Sequence, residues 1–491
     1  MQHLHRKTRA TLVAFLGTAC LVAPAPTVAM GPGFQTSCTQ EANQAFNDGL
    51  SLLHNMMYVQ AEAAFNQAAE ADPSCIMAQW GIAMANFHPL WPGTPSEAET
   101  ERGTAAAEKL ASMTTDSALE EALVAAAAAF YAPGQDGYRA QISAWAEAQI
   151  AAAEENPENI DSAAFAALAR LATAPRGPDR IEVNAQVGDT LDALHQLQPD
   201  HPGIIHYAIH AFDNPPLKER GRPYAEIYDK TAPNAPHALH MPAHIFTRTG
   251  DWEKSIDLNR RSARAALEQS GDTIQIHYAH AIDYMVYGHL QLGEYDEAAR
   301  LVDEINAIDN HQVSFVTAYA LAAAPVRLLL ERDMWAEAAA LSPDLHPTIP
   351  WEEFPQTFVM LWFAKGLGAA RSGDVAAAQT AVAELKALHD AMKERGQDYW
   401  AKLTEGQILT VEAWIALAEG DEEVALIQQS AAADLEDEIG KSPVTPGHVL
   451  PARELLGDML AQMNRKDEAA DAYRATLLLS PNRARSAAAL E

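Results

Sequence analysis

The sequence of 491 residues predicts an all-α fold, a solenoid of degenerate helical hairpins, and three observations lead to this prediction. Alanine is abundant, and apolar residues recur at the spacing of an α-helix, whereas the alternation typical of strands is rare. Glycine is sparse inside the apolar segments. A short turn motif recurs along the chain, and a chain of this length can bury its apolar surface by stacking similar units.

The recurring motif consists of a glycine or asparagine followed by acidic residues, usually a bulky apolar residue, and small residues. It begins at Gly250, Gly293, Gly373, Gly420 and Asn464, and residues 58–73 form a copy without the glycine. Glycine suits the left-handed conformation that ends many helices, and the small residues let the next helix pack closely. The motif resembles the tetratricopeptide repeat (TPR), but the spacing is irregular, since Gly250 and Gly293 are 43 residues apart. The repeats are therefore degenerate.

The first 29 residues have the pattern of a secretory signal peptide. Arg6, Lys7 and Arg9 form a basic start, residues 11–24 are mainly apolar, and Ala29 is a small residue at a plausible cleavage point. The apolar run is shorter than the roughly 20 residues of a membrane span, and no later run reaches that length. We therefore expect a periplasmic or secreted protein without membrane insertion.

The acidic composition restricts the classes of partner. Removal of residues 1–29 takes away three basic residues and no acidic ones, which leaves 31 Lys and Arg against 66 Asp and Glu, a net charge of −35. Nucleic acids and anionic membrane surfaces are bound through Lys and Arg, so this balance argues against both. It is compatible with attraction for cations, although most of these acids are expected on solvated helix faces.

Two cysteines remain after cleavage. Cys38 lies at the start of the first predicted helix, and Cys75 follows the Asp-Pro pair that ends the second. Two antiparallel helices of similar length return the chain to its starting point, and an exported protein can keep a disulfide. We therefore predict a Cys38–Cys75 disulfide. There is no CxxC pair, which excludes c-type haem attachment and a cysteine-based zinc site.

The patterns divide the chain into five predicted segments. These are a signal peptide (1–29), N-terminal TPR-like hairpins (30–133), an irregular helical segment (134–200), a histidine-rich TPR core (201–310) and C-terminal TPR-like repeats (311–491).

Histidines are concentrated in the predicted core. Of the 16 histidines that remain after cleavage, nine lie between positions 201 and 289. At about 100° per residue, His206, His210 and Asp213 share one helix face. On a continuous helix His237, His240 and His244 would also share a face, but Pro242 makes their register uncertain. In a third segment, one helix face carries His277, His280 and Tyr284.

The three segments can converge, because the first helices of successive TPR hairpins run side by side along the concave surface. Imidazole and carboxylate are ligands of zinc, copper and iron. We therefore predict a site for one or two of these transition-metal ions on the concave face. The predicted ligands are His206, His210, His240, His244 and His280. The predicted supporting or alternate ligands are Asp213, His237, His277, Tyr284 and His88.

Three segments also resemble a known family, and they read MAQWGIAMANFHPLW, HPGIIHYAIHAFDNP and HALHMPAHIFTRTGDW. They are similar to a widespread family of bacterial TPR proteins with an HMPxHI signature, over residues 75–299. The resemblance implies the TPR fold and carries over no catalytic role. Trp80 and Gly81 belong to the shared pattern, and we expect them to serve close helix packing. His88 belongs to it too, as a candidate for the groove.

Two other interpretations of the histidines stay open. They could line a groove that holds a polar substrate, a peptide or a protein partner without metal, since a TPR fold does not determine function. They could also be scattered structural residues. A bound metal would act on a small substrate as a Lewis acid or redox centre, or be carried. The motifs HExxH, GxSxG, GxxxxGK[ST] and GxGxxG are absent, so no familiar enzyme class is indicated.

Overall fold

The computed structural model describes residues 34–90, 93–175, 177 and 179–491, so the predicted signal peptide (1–29) lies outside the described residues. Within these ranges the chain is helical, and its strand-like pairing is limited to one isolated bridge between Ile274 and His311. None of the described helices has the length and apolar character needed to cross a membrane.

Helices follow one another along the chain and pack mainly against their neighbours in sequence, which makes the fold an all-α solenoid of helical hairpins, as predicted. The helices are α1 (Gln40–His54), α2 (Tyr58–Ala71), α3 (Ile76–Ala85), α4 (Glu97–Leu110), α5 (Ala118–Phe130), α6 (Tyr138–Glu155), α7 (Ile160–Thr173), α8 (Asp179–Leu197), α9 (Pro202–Phe212), α10 (Lys218–Ala225), α11 (Tyr228–Thr231), α12 (Pro236–His240), α13 (Pro242–Thr249), α14 (Trp252–Glu268), α15 (Ile276–Gln291), α16 (Tyr295–Asn306), α17 (Phe315–Leu330), α18 (Trp335–Ala339), α19 (Pro355–Arg371), α20 (Val375–Glu394), α21 (Asp398–Glu419), α22 (Glu422–Ile439), α23 (Ala452–Gln462), α24 (Lys466–Leu479) and α25 (Ala484–Ala488), with a 3₁₀ turn at Trp351–Glu353.

The predicted hairpin turns lie where the motif indicates, between α13 and α14, α15 and α16, α19 and α20, α21 and α22, and α23 and α24. The backbone φ angles at the turns are +72° at Gly250 and Gly293, +83° at Gly373, +89° at Gly420 and +60° at Asn464. Glycine adopts this left-handed conformation without steric cost, and asparagine tolerates it. The motif therefore predicts these helix ends because it supplies the residues that can make the turn.

Trp80 and Gly81 serve the close packing of helices near the N-terminus, as expected from the sequence. Trp80 is 1% exposed and its ring contacts the rings of Phe46 and Phe65. A Cβ atom added to Gly81 would lie 2.3 Å from the Phe65 ring. Gly81 is therefore needed for α2 and α3 to approach each other.

Cys38 and Cys75 form a disulfide, with Cα atoms 4.9 Å apart. Cys38 precedes α1 and Cys75 precedes α3, so the bond ties the start of the first hairpin to its end. Close by, the backbone N–H of Thr39 donates to Asp72 at 2.9 Å.

The C-terminal end of the chain returns to the histidine-rich core. The Trp252 indole donates to the carbonyl oxygen of Asn482 at 2.9 Å, and the Asn482 side chain donates to the carbonyl oxygen of Gly250 at 3.2 Å. Arg483 is fully buried and donates to the Tyr287 hydroxyl at 3.2 Å. The last hairpin therefore packs on α14 and α15 as well as on its neighbour in sequence.

Gly250→Ala is expected to destabilise the protein more than Gly373→Ala. Both glycines have a positive φ, so alanine costs about 1 kcal/mol at either position. At position 250 the new Cβ would also lie 2.3 Å from the carbonyl oxygen of Pro481, whereas at position 373 no described atom lies within 4 Å. Urea unfolding of both variants measures the difference, and equal losses would mean that the segment around Pro481 moves away from the new methyl group without a measurable cost.

Replacing both cysteines by serine should lower the free energy of unfolding by about 3–4 kcal/mol, because the disulfide closes a loop in the unfolded chain and so restricts its conformations. The cysteines are 37 positions apart. Urea unfolding of the double variant tests this value against the oxidised protein. Two titratable thiols in the oxidised, denatured wild-type protein would show instead that the bond does not form.

Candidate metal centre

The three histidine segments lie on α9, on α12 with α13, and on α15, and these helices meet in the interior. Pro202 begins α9, where the N–H that proline lacks would have no helical partner. His206 and His210 follow at the spacing of one turn and point to the same side, with their Nε2 atoms 3.2 Å apart. These two histidines therefore lie on one face of α9.

Pro242 divides the second segment without turning its histidines apart. α12 ends at His240 and α13 begins at Pro242, but Met241 between them has helical angles, φ −54° and ψ −40°. The Met241 amide donates to the carbonyl oxygen of His237 at 3.0 Å, so the helical path continues past the proline. The Nε2 atoms of His240 and His244 consequently lie 2.9 Å apart.

The other ring nitrogen of each member of this pair faces an acceptor. His240 Nδ1 donates to the side-chain oxygen of Asn259 at 2.6 Å, and Asn259 is oriented by its own amide, which donates to the Ser255 carbonyl oxygen at 2.7 Å. His244 Nδ1 donates to Asp213 at 3.0 Å. Because both N–H groups are at Nδ1, the Nε2 atoms of the two neutral rings face each other with lone pairs.

Two lone pairs at 2.9 Å repel each other unless a cation, either a proton or a metal ion, lies between them. Burial, with the nearby His280 and His244 rings, lowers the pKa of His240 well below its ordinary value. Burial also lowers the pKa of His244, although Asp213 opposes the shift. A proton is therefore disfavoured, and the geometry suits a metal ion.

His280 completes this group. Its ring centroid is 4.3 Å from that of His240, and one ligand atom from each of His240, His244 and His280 lies within 4.8 Å of the other two. Tyr284, one turn further along α15, places its hydroxyl 3.4 Å from His244 Nδ1. The histidines of α12 and α13 therefore meet His280 of α15.

A second group of three histidines adjoins the first. One ligand atom from each of His206, His210 and His237 lies within 4.8 Å of the other two. The His237 ring is 5.0 Å from His206, 6.5 Å from His240 and 5.4 Å from His277, between ring centroids. His237 therefore connects the two groups, and His277 lies beside it.

His88 is the predicted site residue that makes its contacts elsewhere. Its ring stacks on Tyr58, with centroids 4.3 Å apart, and its Nε2 donates to the carbonyl oxygen of Ala85 at 3.0 Å. The other nine predicted residues, from His206 to Tyr284, form one contiguous cluster. The prediction of His88 as an alternate ligand is not supported by these contacts, because the turn after α3 directs its ring toward α2.

A third group, His54, Asp161 and His201, has ligand atoms equally close together but a complete set of hydrogen bonds. Both histidines donate from Nε2 to the same Asp161 oxygen at 3.0 Å. His54 Nδ1 accepts from the Tyr207 hydroxyl at 3.0 Å, and His201 Nδ1 accepts from the Ile204 amide at 3.2 Å. All four ring nitrogens therefore have hydrogen-bond partners when the rings are neutral, so this group needs no metal ion.

Asp213 is the charged centre of the site. Its carboxylate also accepts from Arg248 Nε at 2.7 Å and lies 3.8 Å from Lys441 Nζ. Burial alone raises the pKa of Asp213, but Lys441, Arg248 and His244 lower it more, and the pKa lies well below the usual range. Burial and the Arg248 charge lower the pKa of Lys441 to about 7.

Residues 440–450 form a C-terminal loop that covers one side of the cluster. The buried guanidinium of Arg327 donates to the Thr445 hydroxyl at 2.7 Å and to the carbonyl oxygen of Gly447 at 2.9 Å. Arg327 is in turn held by Asp283 at 3.1 Å. The loop reaches the histidines where the carbonyl oxygen of Pro443 accepts from the Tyr284 hydroxyl at 3.4 Å.

The histidines of the cluster differ in their exposure to solvent. His206, His237, His240 and His244 are buried, whereas His210, His277 and His280 are partly exposed. Each of the two groups therefore includes one partly exposed histidine, His210 or His280.

Several residues that shape the site could not be found from the sequence. Asn259 lies 19 residues from His240, and Tyr207 lies 153 residues from His54. Asp161 and Lys441 are likewise distant from their partners along the chain. No local motif marks them, because their contacts arise only when non-neighbouring helices pack together.

No family model matches the sequence, and no curated protein matches it. Similar solved structures include the human IFIT1 dimer with PPP-AAAA, with 13% identity, 91% of this chain and 96% of that chain covered, and a TM-score of 0.39. The Rap protein complexed with competence and sporulation factor has 13% identity, 91% and 100% coverage, and a TM-score of 0.39. The P58(IPK) TPR domain has 14% identity, 91% and 96% coverage, and a TM-score of 0.22. Likenesses at this level transfer no ligand or partner to this chain.

The metal-free protein should lose stability as the pH falls below about 6.5. Burial lowers the pKa of His54 to about 4 and that of His206 to about 3, so both stay neutral in the fold while the unfolded chain takes up protons below pH 6.5. The unfolded state then binds more protons, and each group removes up to about 1.4 kcal/mol per pH unit. Urea unfolding after EDTA treatment, at pH 7.5, 6.5 and 5, measures this loss. Unchanged stability between pH 6.5 and 5 would contradict it.

Proposed function

We propose that this protein binds a transition-metal ion through His240, His244 and His280. The observation that carries the proposal is the pair of Nε2 atoms 2.9 Å apart, each on a ring whose Nδ1 donates to a fixed acceptor. Three histidines with a free fourth position are the ligand set of many catalytic zinc sites. Water or a substrate would take the fourth position, on the side of the partly exposed His280.

Asp213 and Asn259 support the ligands. A carboxylate or amide oxygen that accepts the second N–H of a metal-bound histidine fixes its tautomer and orientation and increases its basicity. Both acceptors are themselves held, Asp213 by Arg248 and Asn259 by its bond to Ser255. The ligands are therefore oriented before an ion binds.

The ligand chemistry limits the choice of ion. Neutral imidazole nitrogens suit zinc, copper and iron, whereas magnesium and calcium prefer oxygen ligands. The ion would act on a small substrate as a Lewis acid or redox centre, or be carried by the protein. We also propose that the protein is exported, which the signal-peptide pattern of residues 1–29 and the Cys38–Cys75 disulfide support.

A second candidate function is the binding of a peptide or protein partner, and one cavity favours it. The cavity lies between α19, α21 and the C-terminal loop, and its walls include Tyr319 and Trp400. Gln356 and Gln407 line it, are 8% exposed, and have side-chain oxygens without a hydrogen-bond partner among the described residues. A donor group, either an N–H group at the edge of a bound peptide or a water molecule, would satisfy these oxygens.

The ion bound by His240, His244 and His280 should be lost in the double variant His240→Ala with His244→Ala, because two of its three ligands are removed. Asp213→Asn keeps all three ligands and should weaken binding by about 10–100-fold. The measurement is elemental analysis and titration of tag-free, chelator-treated full-length protein with zinc and copper.

The matched control is His311→Ala. His311 is also buried, but its Nε2 donates to the carbonyl oxygen of Ile305, and its closest ring neighbours are Tyr278 and His346. This variant should keep full metal content. If the double variant keeps as much metal as the wild type, the proposed site is wrong, and a co-bound peptide in the native mass spectrum of metal-free protein would favour the second candidate.

A further inference from the structure

We infer that the cluster holds a second metal ion, bound by His206, His210 and His237 beside the first. This inference rests on the proposed function, since the second ion would lie next to the first in the interior of the protein. One ligand atom from each of the three residues lies within 4.8 Å of the other two, as in the first group, and the two groups share no ligand.

His206 is oriented for this role by the main chain. Its Nδ1 donates to the carbonyl oxygen of His54 at 2.7 Å, so the lone pair of the neutral ring is on Nε2. The His54 ring is itself held between Asp161 and Tyr207, at 3.0 Å from each. The hydrogen-bonded group of His54, Asp161 and His201 therefore supports a ligand without being a metal site.

His210 stands opposite this lone pair. Two nitrogens that are each about 2.0–2.1 Å from an ion are 3.2 Å apart when the angle at the ion is about 100°, close to the tetrahedral value. The observed separation of the His206 and His210 Nε2 atoms is 3.2 Å. A hydrogen bond from His210 to His206 also fits this distance, so the pair needs a third ligand to indicate an ion.

His237 supplies that third ligand. Its ring is inclined at 65° to the His206 ring, with centroids 5.0 Å apart. It lies on α12 three residues before His240, with ring centroids 6.5 Å apart, so the two ions would be neighbours. One short helix therefore contributes a ligand to each ion.

The charge of the cluster indicates what the ions would bind. Six neutral imidazoles bring no negative charge, and the nearby Asp213 is already shared by Arg248 and Lys441. Two divalent ions would need an anion in their open positions, either hydroxide or a negatively charged oxygen of a substrate. A small oxyanion is thus the class of ligand that this pair of ions favours.

The number of ions tests the inference. Tag-free, chelator-treated full-length protein is loaded with Co²⁺ or Cu²⁺, desalted and analysed for metal. We expect two ions per chain in the wild type, one in His206→Ala with His210→Ala, one in His240→Ala with His244→Ala, and none when all four are replaced. His311→Ala should keep two.

The failure of this inference and that of the proposed function are distinguishable. If the wild type binds one ion, and only the replacement of His240 and His244 removes it, the second ion is overturned and the proposed site stands. If the wild type binds no ion, both the proposed site at His240 and the second ion are overturned. The same holds if it binds one ion that only the replacement of His206 and His210 removes.

A second readout covers variants that fold poorly. His210→Gln changes one partly exposed ligand and is expected to keep the fold while removing the second ion. In frozen copper-loaded wild type, the magnetic interaction of two neighbouring Cu²⁺ ions should broaden the electron paramagnetic resonance spectrum. His210→Gln should give the narrow spectrum of one isolated ion, and identical narrow spectra from both proteins would overturn the inference.

Discussion

The buried carboxylate of Asp213 is the interaction on which the site depends. It follows α9, accepts from His244 and Arg248 at the two ends of α13, and faces Lys441 of the C-terminal loop. One group therefore joins three parts of the chain that are far apart in sequence. Although burial alone raises its pKa, Lys441 and Arg248 hold the pKa well below its usual range, so the carboxylate stays ionised. An ionised Asp213 keeps the His244 proton on Nδ1 and leaves the Nε2 lone pair for the centre of the cluster.

Two groups of histidines in this protein show that proximity alone does not define a metal site. In the group of His54, Asp161 and His201, the rings donate to one carboxylate and accept from a hydroxyl and an amide, so neutral histidines are fully hydrogen-bonded. In the pair of His240 and His244, both outward nitrogens donate, and the inward nitrogens face each other. The position of the protons on each ring distinguishes a structural network from a site that attracts a cation.

The tertiary structure encloses this site instead of leaving it on an open groove. Arg327 holds the C-terminal loop against the cluster, and the segment around Arg483 packs the last hairpin onto α14 and α15. Enclosure lowers the pKa of the buried histidines, which keeps their nitrogens available at neutral pH. The same enclosure reduces stability in acid, because the unfolded chain takes up the protons that the fold excludes. The exclusion of protons from these nitrogens and the sensitivity of the fold to pH thus have one cause.

The sequence by itself determined the helical solenoid, the hairpin turns at residues such as Gly250 and the single-face placement of His206 with His210 and of His277 with His280. These features depend on helical periodicity and on residues that tolerate a left-handed turn, both of which are local. Only the tertiary structure decided that His88 packs against α2, that Asn259 orients His240, and which ring nitrogens carry protons. Such contacts join positions from 19 to more than 150 residues apart, and they depend on how non-neighbouring helices pack, which no local pattern encodes.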